Sequence, residues 1–249
     1  MSRSIRVVTL NIHKGLSHFN RRMVISELRE GLRALDPDIV FLQEVQGLNQ
    51  RHRRRFESYP AVGQHEYLAG EDWQHVYGVN AVYDHGHHGN AVLSRFPFVS
   101  FENQDVSDHR FERRGLLHCI VSVPGLRRNL HCVCVHLSLH EGGRSRQLEA
   151  ISGRLAEIAS NNVPIIVAGD FNDWRHRATA ILERRLGMQE VSVAHLGRAP
   201  RTYPSVLPLF RLDRIYVRGF EVVSSQVHMG KPWSMLSDHL AVSAVLRRA

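Results

Sequence analysis

Cysteine is scarce in this 249-residue sequence, which contains only three. An odd number of cysteines in a chain of this length argues against a disulfide framework. Cys132 and Cys134 alternate with His136 in the segment CVCVH, and this pattern could indicate a zinc site. Alternate residues of a strand lie about 6.6 Å apart, however, which is too far to converge readily on one ion. We therefore expect both cysteines to be small buried apolar residues.

Long apolar runs are also absent. No run approaches the roughly 20 residues that a membrane-spanning helix needs. The N-terminus, MSRSIRVVTL, soon enters a strand-like pattern and leaves no room for the apolar region of a signal peptide. We therefore expect a cytoplasmic protein without a transmembrane segment, and we expect it to be a monomer. Because 43% of the residues are hydrophobic, the chain can still form a sizeable globular core.

Lysine occurs only at Lys14 and Lys231, so 30 of the 32 basic residues are arginine. Arginine suits bidentate phosphate contacts, but a GC-rich genome would produce the same bias, and we favour that explanation. The net charge of +8 and the pI near 10 indicate an anionic partner. Nucleic acid, a phosphorylated metabolite and peripheral contact with an anionic phospholipid surface all fit this charge.

The stretch Ile165–Trp174, IIVAGDFNDW, combines an apolar run with a polar end. The apolar part lies between Pro164 and Gly169, which is typical of a strand buried on both faces. Asp170 and Asn172 follow at the strand end, where α/β proteins place their chemistry. Their oxygens can bind a metal ion or a phosphate, although the same residues also suit an Asx turn that only ends a strand.

Polar residues recur at the ends of other apolar strands. The full set is Asn11, Glu44, Asn90, His136, Asp170, Asn172, Asp213, Asp238 and His239. The carboxylate and amide oxygens suit Mg²⁺ or Mn²⁺, and a carboxylate late in an apolar strand, as at Glu44, is costly unless it is paired or metal-bound. The histidines can act as general acid and base, and a nearby aspartate can fix a histidine tautomer. This combination predicts metal-assisted hydrolysis of a phosphate ester.

Several segments predict the local structure around these residues. Asn20 is expected to cap a helix that ends before Asp36-Pro37, and the basic run 51–55 is expected to form a helix with a solvated face. Residues 83–90, YDHGHHGN, are expected to form a loop whose histidines are solvated rather than metal-bound. The remaining predicted elements are a hairpin of 116–123 with 130–137, helices at 144–160 and 177–186, and strands at 212–217 and 240–246.

Seven segments, in this order, resemble the exonuclease–endonuclease–phosphatase superfamily, which has the DNase I-like fold. They are TLNIHKG, FLQEV, GNAVLSRFP, VHLSLH, GDFN, LDRIYV and SDHLAV, and they extend from about residue 5 to residue 246. The resemblance implies an α/β (α+β) fold in one domain, residues 1–249. That fold is a four-layer α/β/β/α sandwich, in which two mixed β-sheets pack face to face and helices cover their outer surfaces.

The resemblance also implies a cofactor, Mg²⁺ or Mn²⁺, and residues that bind it. Glu44 would be the main metal ligand, helped by Asn11 and Asp238. Lys14 and Asn90 would contact the substrate phosphate, although a solvated lysine is the interpretation that we favour for Lys14 from the residue alone.

Catalytic roles follow from the same resemblance. Asp170 would orient or deprotonate the attacking water, and Asn172 would hold a phosphate oxygen. His239 would contact the phosphate or serve as base, with Asp213 orienting it. His136 would protonate the leaving group or stabilise the transition state.

The resemblance gives less information about the substrate. A histidine in VHLSLH is similar to the DNase I and sphingomyelinase branches, whereas LFRLDRIYV lacks the tryptophan and cysteine that inositol polyphosphate phosphatases carry there. His13 departs from the acidic residue of some DNA-repair members, which argues against a second metal site. The NIHKG form is similar to small bacterial members, the YbhP-like group.

We therefore predict a Mg²⁺- or Mn²⁺-dependent phosphodiesterase that acts on nucleic acid, a phospholipid or a small phosphodiester. Two alternatives are a catalytically inactive family member that binds nucleic acid or protein, and a basic nucleic-acid-binding module without chemistry. The intact set of site residues favours the enzyme.

Overall fold

Short apolar runs of the sequence form the strands of two six-stranded sheets. The structure is a computed structural model that describes residues 4–108, 112–159, 163–175 and 177–248. The strands are β1 (Ser4–Asn11), β2 (Ile39–Asn49), β3 (Gln74–Tyr83), β4 (Gly86–Ser94), β5 (Phe98–Asp105), β6 (Gly115–Val121), β7 (Leu130–His136), β8 (Ile165–Asp170), β9 (Gln189–Glu190), β10 (Asp213–Arg218), β11 (Phe220–Val227) and β12 (Val242–Arg248). The helices are α1 (Ile25–Leu35), α2 (Gln50–Arg55), α3 (Gln64–Ala69), α4 (Glu141–Ala159), α5 (Arg177–Leu186), α6 (Val191–Leu196) and α7 (Trp233–Leu236), and His13–Gly15 form a 3₁₀ turn.

Each sheet contains one parallel pair of strands at its centre. The strand orders are β11-β12-β1-β2-β4-β3 and β5-β6-β7-β8-β10-β9, with β1 parallel to β2 and β7 parallel to β8. Helices α1 and α4 lie in the two crossover connections, as parallel pairs require. Parallel strands end at the same edge of a sheet. In each sheet, the last residues of the two parallel strands therefore lie side by side at one edge.

The alternation of side chains along the strands produces three apolar layers. Val7 of β1 belongs to the core between the two sheets, whereas its neighbour Val8 packs with Leu28 of α1 on the outer face. On the other sheet, Val133 of β7 packs with Leu155 of α4. One core between the sheets and one under each helical layer confirm the predicted four-layer sandwich. Within the described residues, no helix is both long enough and apolar enough to cross a bilayer.

The first helix starts later than the sequence predicts. Asn20 is not its cap, because α1 begins at Ile25. Asn20 has a φ of 55°, and its N–H donates to the carbonyl of Ser17 at 2.7 Å, so it closes a tight turn before the helix. Asparagine tolerates this left-handed conformation, and a turn and a cap favour the same residue types.

Residues 83–90 form a hairpin rather than the predicted loop. β3 ends at Tyr83 and β4 begins at Gly86, so His87 and His88 lie within a strand. A Cβ atom at Gly89 would lie 1.8 Å from the carbonyl oxygen of Gly78 on β3. Gly89 therefore allows the backbones of β3 and β4 to approach each other closely. This glycine serves strand pairing and does not mark a loop.

The cysteines are buried and free, as expected. Burial raises the pKa of the Cys134 thiol to about 12, so this cysteine stays protonated and behaves as a small apolar residue.

One buried carboxylate lies far from the strand ends described above. The Glu190 side chain accepts from the backbone N–H of Val193 at 2.6 Å and so caps α6, while only 1% of the residue is exposed. Its second oxygen, Oε1, has no hydrogen-bond donor among the described residues. Burial therefore raises the pKa of Glu190 to about 7, against the opposing effect of the two backbone N–H groups that face it.

Glu190→Gln should therefore change stability in a pH-dependent way. Since the carboxyl binds its proton more tightly in the folded than in the unfolded chain, wild-type stability falls as the pH rises from about 4.5 towards 7. Glutamine can still cap α6 but carries no charge. The free energy of unfolding of the variant should therefore increase relative to that of wild type as the pH rises, by up to about 3 kcal/mol at pH 8. Urea unfolding at pH 5 and pH 8 measures this, with exposed Glu71→Gln as the control. A difference that does not vary with pH would contradict the explanation.

Candidate active site

Strand register places three polar residues in one row across the second sheet. Asp170 of β8 pairs with His136 on β7 on one side and with Asp213 on β10 on the other. Residues paired in register project to the same face of a sheet, so these side chains are neighbours. The first sheet adds Asn11 from the end of β1, whose Nδ2 lies 3.2 Å from Asp170 Oδ2. The site is therefore assembled from both sheets.

Asp170 lies at the centre of this row, with 1% of the residue exposed. Its Oδ2 also faces His136 Nε2 at 3.5 Å and His239 Nε2 at 3.8 Å. Its Oδ1 accepts from the backbone N–H of Asn172 at 3.0 Å. Burial raises the pKa of Asp170 to about 6, although the charge of His239 opposes this shift. At neutral pH the Asp170 carboxylate is therefore ionised, and its pKa lies only slightly below the pH.

The turn after β8 is held by Asn172. Its amide Nδ2 donates to the carbonyl of Leu137 at 2.9 Å, which ties the turn to the end of β7. Asn172 has a φ of 47°, a left-handed conformation that asparagine adopts more readily than most residues. The predicted Asx turn is present, because the Asp170 carboxylate accepts from the N–H two residues later. An Asx turn that ends β8 and a chemical role of Asp170 and Asn172 are therefore compatible with each other.

His239 and Asp213 form a buried pair. His239 Nδ1 lies 2.8 Å from Asp213 Oδ2, and Asp213 is fully buried. Burial alone would lower the pKa of His239, but the charges of Asp213 and Asp170 outweigh it and raise this pKa to about 10. The imidazole is therefore charged at neutral pH. Asp213 thus both orients His239 and keeps it protonated.

His136 differs from His239 in its protonation state. Burial, and then the positive charge of Arg114, lower the pKa of His136 well below its ordinary value. The imidazole of His136 is therefore neutral at neutral pH. The two histidines that face Asp170 thus differ in charge, a difference that the sequence alone does not reveal.

Two further carboxylates, Glu44 and Asp238, each face a basic side chain. Lys14 Nζ lies 3.2 Å from Glu44 Oε2, and His13 Nδ1 lies 3.5 Å from Asp238 Oδ1. Glu44 has a φ of 56°, at the point where the register of β2 with β4 shifts. Burial alone would raise the pKa of Glu44, but the charge of Lys14 and other nearby positive groups hold it well below its ordinary value. The bulge thus presents an ionised carboxylate to the site.

The predicted metal ligands share one cavity. Asn11, Glu44 and Asp238 line a cavity of about 450 Å³ together with Asp170 and His239. Carboxylate and amide oxygens are the donors that Mg²⁺ and Mn²⁺ prefer. The ammonium group of Lys14 lies 3.2 Å from Glu44 Oε2 without good hydrogen-bond geometry, so this part of the cavity already accommodates positive charge. The donor set therefore fits a divalent cation.

A second group of residues also meets a geometric requirement for a metal site. One ligand atom each from Asp170, Asp213 and His239 lie within 4.8 Å of one another. His239 Nδ1 is engaged by Asp213 at 2.8 Å, however, and the charged imidazole has no lone pair to donate. In this charge state His239 is not available as a metal ligand, whereas the oxygens of Asn11, Glu44 and Asp238 are.

Six residues that line the cavity were not predicted as site residues from the sequence. The additional lining residues are Arg114, Leu139, Trp174, Tyr203, Phe210 and Leu212. Arg114 Nη2 donates to Glu112 Oε1 at 3.0 Å, and the Arg114 side chain lies beside the buried His136. Trp174 ends the stretch that contains Asp170, which is a signal that could have been used. Leu139 and Leu212 belong to the motif segments VHLSLH and LDRIYV, whereas Arg114, Tyr203 and Phe210 belong to segments without a recognisable motif.

Lys14 and Asn90 are placed differently from each other. Lys14 is at the site, paired with Glu44 as described. Asn90 is fully buried, and its Nδ2 donates to the carbonyl of Gly115 at 3.0 Å, which joins β4 of one sheet to β6 of the other. It is not among the described residues that line the cavity. The predicted phosphate contact of Asn90 therefore has no geometric support, and the residue holds the two sheets together.

Comparison with known proteins agrees with this geometry. A sequence model of the Endonuclease/Exonuclease/phosphatase family matches residues 8–239. The chain is 43% identical over 242 residues to a protein of Escherichia coli strain K12 named "Uncharacterized protein YbhP", and the match covers 97% of this chain and 95% of that protein.

Solved structures share the fold at low sequence identity. An endonuclease/exonuclease/phosphatase from Beutenbergia cavernae DSM 12333 has a TM-score of 0.78 at 22% identity, covering 99% of this chain and 72% of that chain. Truncated TDP2 from Caenorhabditis elegans has a TM-score of 0.71 at 17% identity, covering 98% of this chain and 97% of that chain. With the strand-end site and the family match over nearly the whole chain, the resemblance found in the sequence is confirmed: this chain belongs to the endonuclease/exonuclease/phosphatase family.

Proposed function

We propose that the protein is a Mg²⁺- or Mn²⁺-dependent phosphodiesterase that hydrolyses a phosphate ester with water as the nucleophile. The observation that supports this most strongly is the environment of Asp170. A buried carboxylate near its protonation point faces a charged and a neutral histidine, in a cavity that also holds ionised Glu44. This arrangement can accept a proton, donate one and stabilise phosphate charge within a single site.

Glu44, Asn11 and Asp238 would hold the cation. When bound, it would polarise a phosphoryl oxygen and neutralise developing negative charge. Lys14 lies beside Glu44 and would add positive charge on the same side of the substrate phosphate. The proposal therefore assigns this side of the cavity to the phosphate.

Asp170 would take the proton of the attacking water. Its pKa of about 6 makes it an ionised base at neutral pH, and Asn11 and the backbone of Asn172 fix its two oxygens. One N–H of the Asn172 amide donates to Leu137, which leaves the other N–H to donate to a phosphate oxygen.

The different charge states of the two histidines suggest different roles, because His239 is charged and His136 is neutral. His239, kept protonated by Asp213, would stabilise the charged phosphate and can donate a proton from Nε2 to the leaving group. His136 is neutral and would donate a hydrogen bond that stabilises the transition state. Among the two roles predicted for His136, the low pKa supports stabilisation.

The substrate class is a phosphate ester of nucleic acid, of a phospholipid or of a small metabolite, and we propose that the reaction takes place in the cytoplasm. A panel of plasmid DNA, RNA, phospholipid vesicles and chromogenic phosphate mono- and diesters tests this. Wild type and His239→Ala are compared after chelation and after addition of Mg²⁺ or Mn²⁺, so that contaminating activity is excluded. If wild type hydrolyses no diester and calorimetry detects no metal binding, the enzyme proposal fails.

Metal binding can also be tested without turnover. Glu44→Gln should weaken Mn²⁺ binding by at least about tenfold, because it replaces the main anionic oxygen donor by a neutral one. Isothermal titration calorimetry measures the change, with exposed Glu30→Gln on α1 as the matched control. Equal Mn²⁺ affinity of wild type and Glu44→Gln would contradict the ligand assignment.

Asp213→Asn should lower the pKa of His239, because Asp213 is the largest source of its upward shift. The imidazole would then lose its charge as the pH rises through values well below 10, and its tautomer would no longer be fixed. We expect a 10- to 100-fold loss in kcat, by analogy with removal of groups that orient catalytic or ligating histidines. A histidine NMR titration follows the pKa directly. A His239 pKa that stays near 10 in the variant would contradict the role of Asp213.

A further inference from the structure

A loop at the mouth of the cavity exposes only apolar side chains. Tyr203 and Phe210 pair as an isolated antiparallel bridge, with Tyr203 N–H donating to the Phe210 carbonyl at 3.2 Å and Phe210 N–H to the Tyr203 carbonyl at 2.8 Å. Between them, YPSVLPLF carries no charged residue. Val206, Leu207 and Leu209 are between 54% and 66% exposed. Neighbouring apolar side chains in solvent indicate a surface that is covered by a partner.

The base of this loop is fixed to the catalytic segment. Ser205 N–H donates to the carbonyl of Asp238 at 2.7 Å, and Ser205 Oγ donates to the carbonyl of Ser237 at 2.7 Å. On the next residue of that segment, the His239 ring lies 4.8 Å from the Tyr203 ring. Phe210 and Tyr203 also line the active-site cavity. Whatever covers the loop is therefore held directly over the entrance to the site.

The other side of the loop borders a basic groove. Arg198, Arg201 and Arg211 line a cavity of about 550 Å³ to which Pro208 of the loop also contributes. Neither Arg198 nor Arg201 forms an ion pair with a described residue, and Arg211 Nε donates to the carbonyl of Ala199 at 3.1 Å. Exposed guanidinium groups that are not neutralised by a carboxylate are available for phosphate groups.

We propose that this loop and the arginine groove dock the protein on an anionic phospholipid surface, so that the cavity opens onto lipid headgroups. The uncharged tip would enter the boundary between headgroups and acyl chains, while the arginines bind lipid phosphates. A single-stranded nucleic acid fits the tip of the loop less well, because Val206, Leu207 and Leu209 offer no ring for a base to stack on. The rings of Tyr203 and Phe210 lie at the base of the loop, where they line the cavity. The overall charge of +8 complements an anionic membrane. The proposal deepens the proposed function by naming a phosphoester presented at a membrane, and it rests on that function only for the reaction.

Vesicle sedimentation tests the docking. Wild type should bind vesicles of phosphatidylcholine mixed with phosphatidylglycerol, and Val206→Ser/Leu207→Ser/Leu209→Ser should bind them at least about tenfold more weakly. The matched control, Val82→Ser/Val99→Ser/Phe101→Ser, removes three equally exposed apolar side chains at the opposite edge of the sheets and should bind as wild type does. Arg198→Gln/Arg201→Gln should lose about tenfold or more on the anionic vesicles and little on phosphatidylcholine alone.

Soluble diester hydrolysis separates the two proposals. The serine loop variant should hydrolyse bis(p-nitrophenyl) phosphate at the wild-type rate, because none of its three residues lines the cavity. Vesicle binding without diester hydrolysis supports docking and contradicts the proposed function. Diester hydrolysis without vesicle binding overturns docking and leaves the proposed function in place. Docking is also overturned if the loop variant binds vesicles as wild type does, or if light scattering shows a wild-type dimer that the loop variant converts to monomer.

Discussion

Asp170→Asn is expected to lower kcat for phosphodiester hydrolysis by about 10³-fold. Asparagine has nearly the shape of aspartate but cannot accept the proton of the attacking water. It also removes one of the three carboxylate charges that keep His239 protonated. The chain should stay folded, because asparagine has the size of aspartate and its single carbonyl oxygen can still accept from the N–H of Asn172, while the hydrogen bond from the Asn11 amide is lost. Loss of activity with a retained far-UV spectrum and denaturant midpoint is the expected result.

The pH profile of the same reaction provides a second readout. In wild type, kcat/KM should rise as Asp170 loses its proton near pH 6, and this acidic limb should be absent from the residual activity of Asp170→Asn. Asp84→Asn, an exposed aspartate in the turn between β3 and β4, is the control and should match wild type. An acidic limb that persists in Asp170→Asn would show that another group is the base.

Gly169→Ala is expected to destabilise the protein by about 3 kcal/mol or more. Gly169 has a φ of +149°, and a Cβ atom there would lie 1.9 Å from the carbonyl oxygen of Val135 on the neighbouring strand. That atom belongs to backbone in the parallel β7–β8 pair, so it cannot move without breaking the ladder. Any accommodation would also shift His136 relative to Asp170, so activity should fall in the fraction that still folds. Urea unfolding and kcat measure the two effects.

The same substitution elsewhere in the chain should have the opposite sign. Gly153 is exposed in the interior of α4, and no heavy atom lies within 4 Å of a Cβ built there. Gly153→Ala should stabilise the protein by roughly 0.5–1 kcal/mol, because alanine loses less conformational freedom in a helix. If both variants were equally destabilised, close approach of β7 and β8 would not be the reason for Gly169.

The strands that bear the site could be predicted because they are buried on both sides. The run Ile165–Ala168 is continuous and apolar, and it is bounded by proline and glycine, so both the strand and its end are readable. The polar residue after each such run then falls at the cavity. The strands β3, β5 and β11 were not predicted, because they lie at or near sheet edges and expose much of their length. Their pairing depends on neighbours distant in sequence.

The charge states within the site could not be read from the sequence either. His136 ends β7 and His239 precedes β12, so both lie at the end of an apolar strand, yet their pKa values shift in opposite directions. The difference comes from Asp213 beside one imidazole and Arg114 beside the other, and both neighbours are set by tertiary packing. For the same reason Asn90 has the sequence context of a site residue but joins the two sheets.

The contact of Asn11 with Asp170 crosses from one sheet to the other, and this has a consequence for motion. A shear of one sheet past the other would separate Asp170, the proposed base, from the Asn11 amide, and it would part Glu44 from His136. If the proposed reaction takes place, we therefore expect the two layers to move as one body. Substrate entry and product release must then come from the side chains and loops that border the opening. A cross-link between β2 and β7 away from the cavity should accordingly leave the catalytic cycle intact.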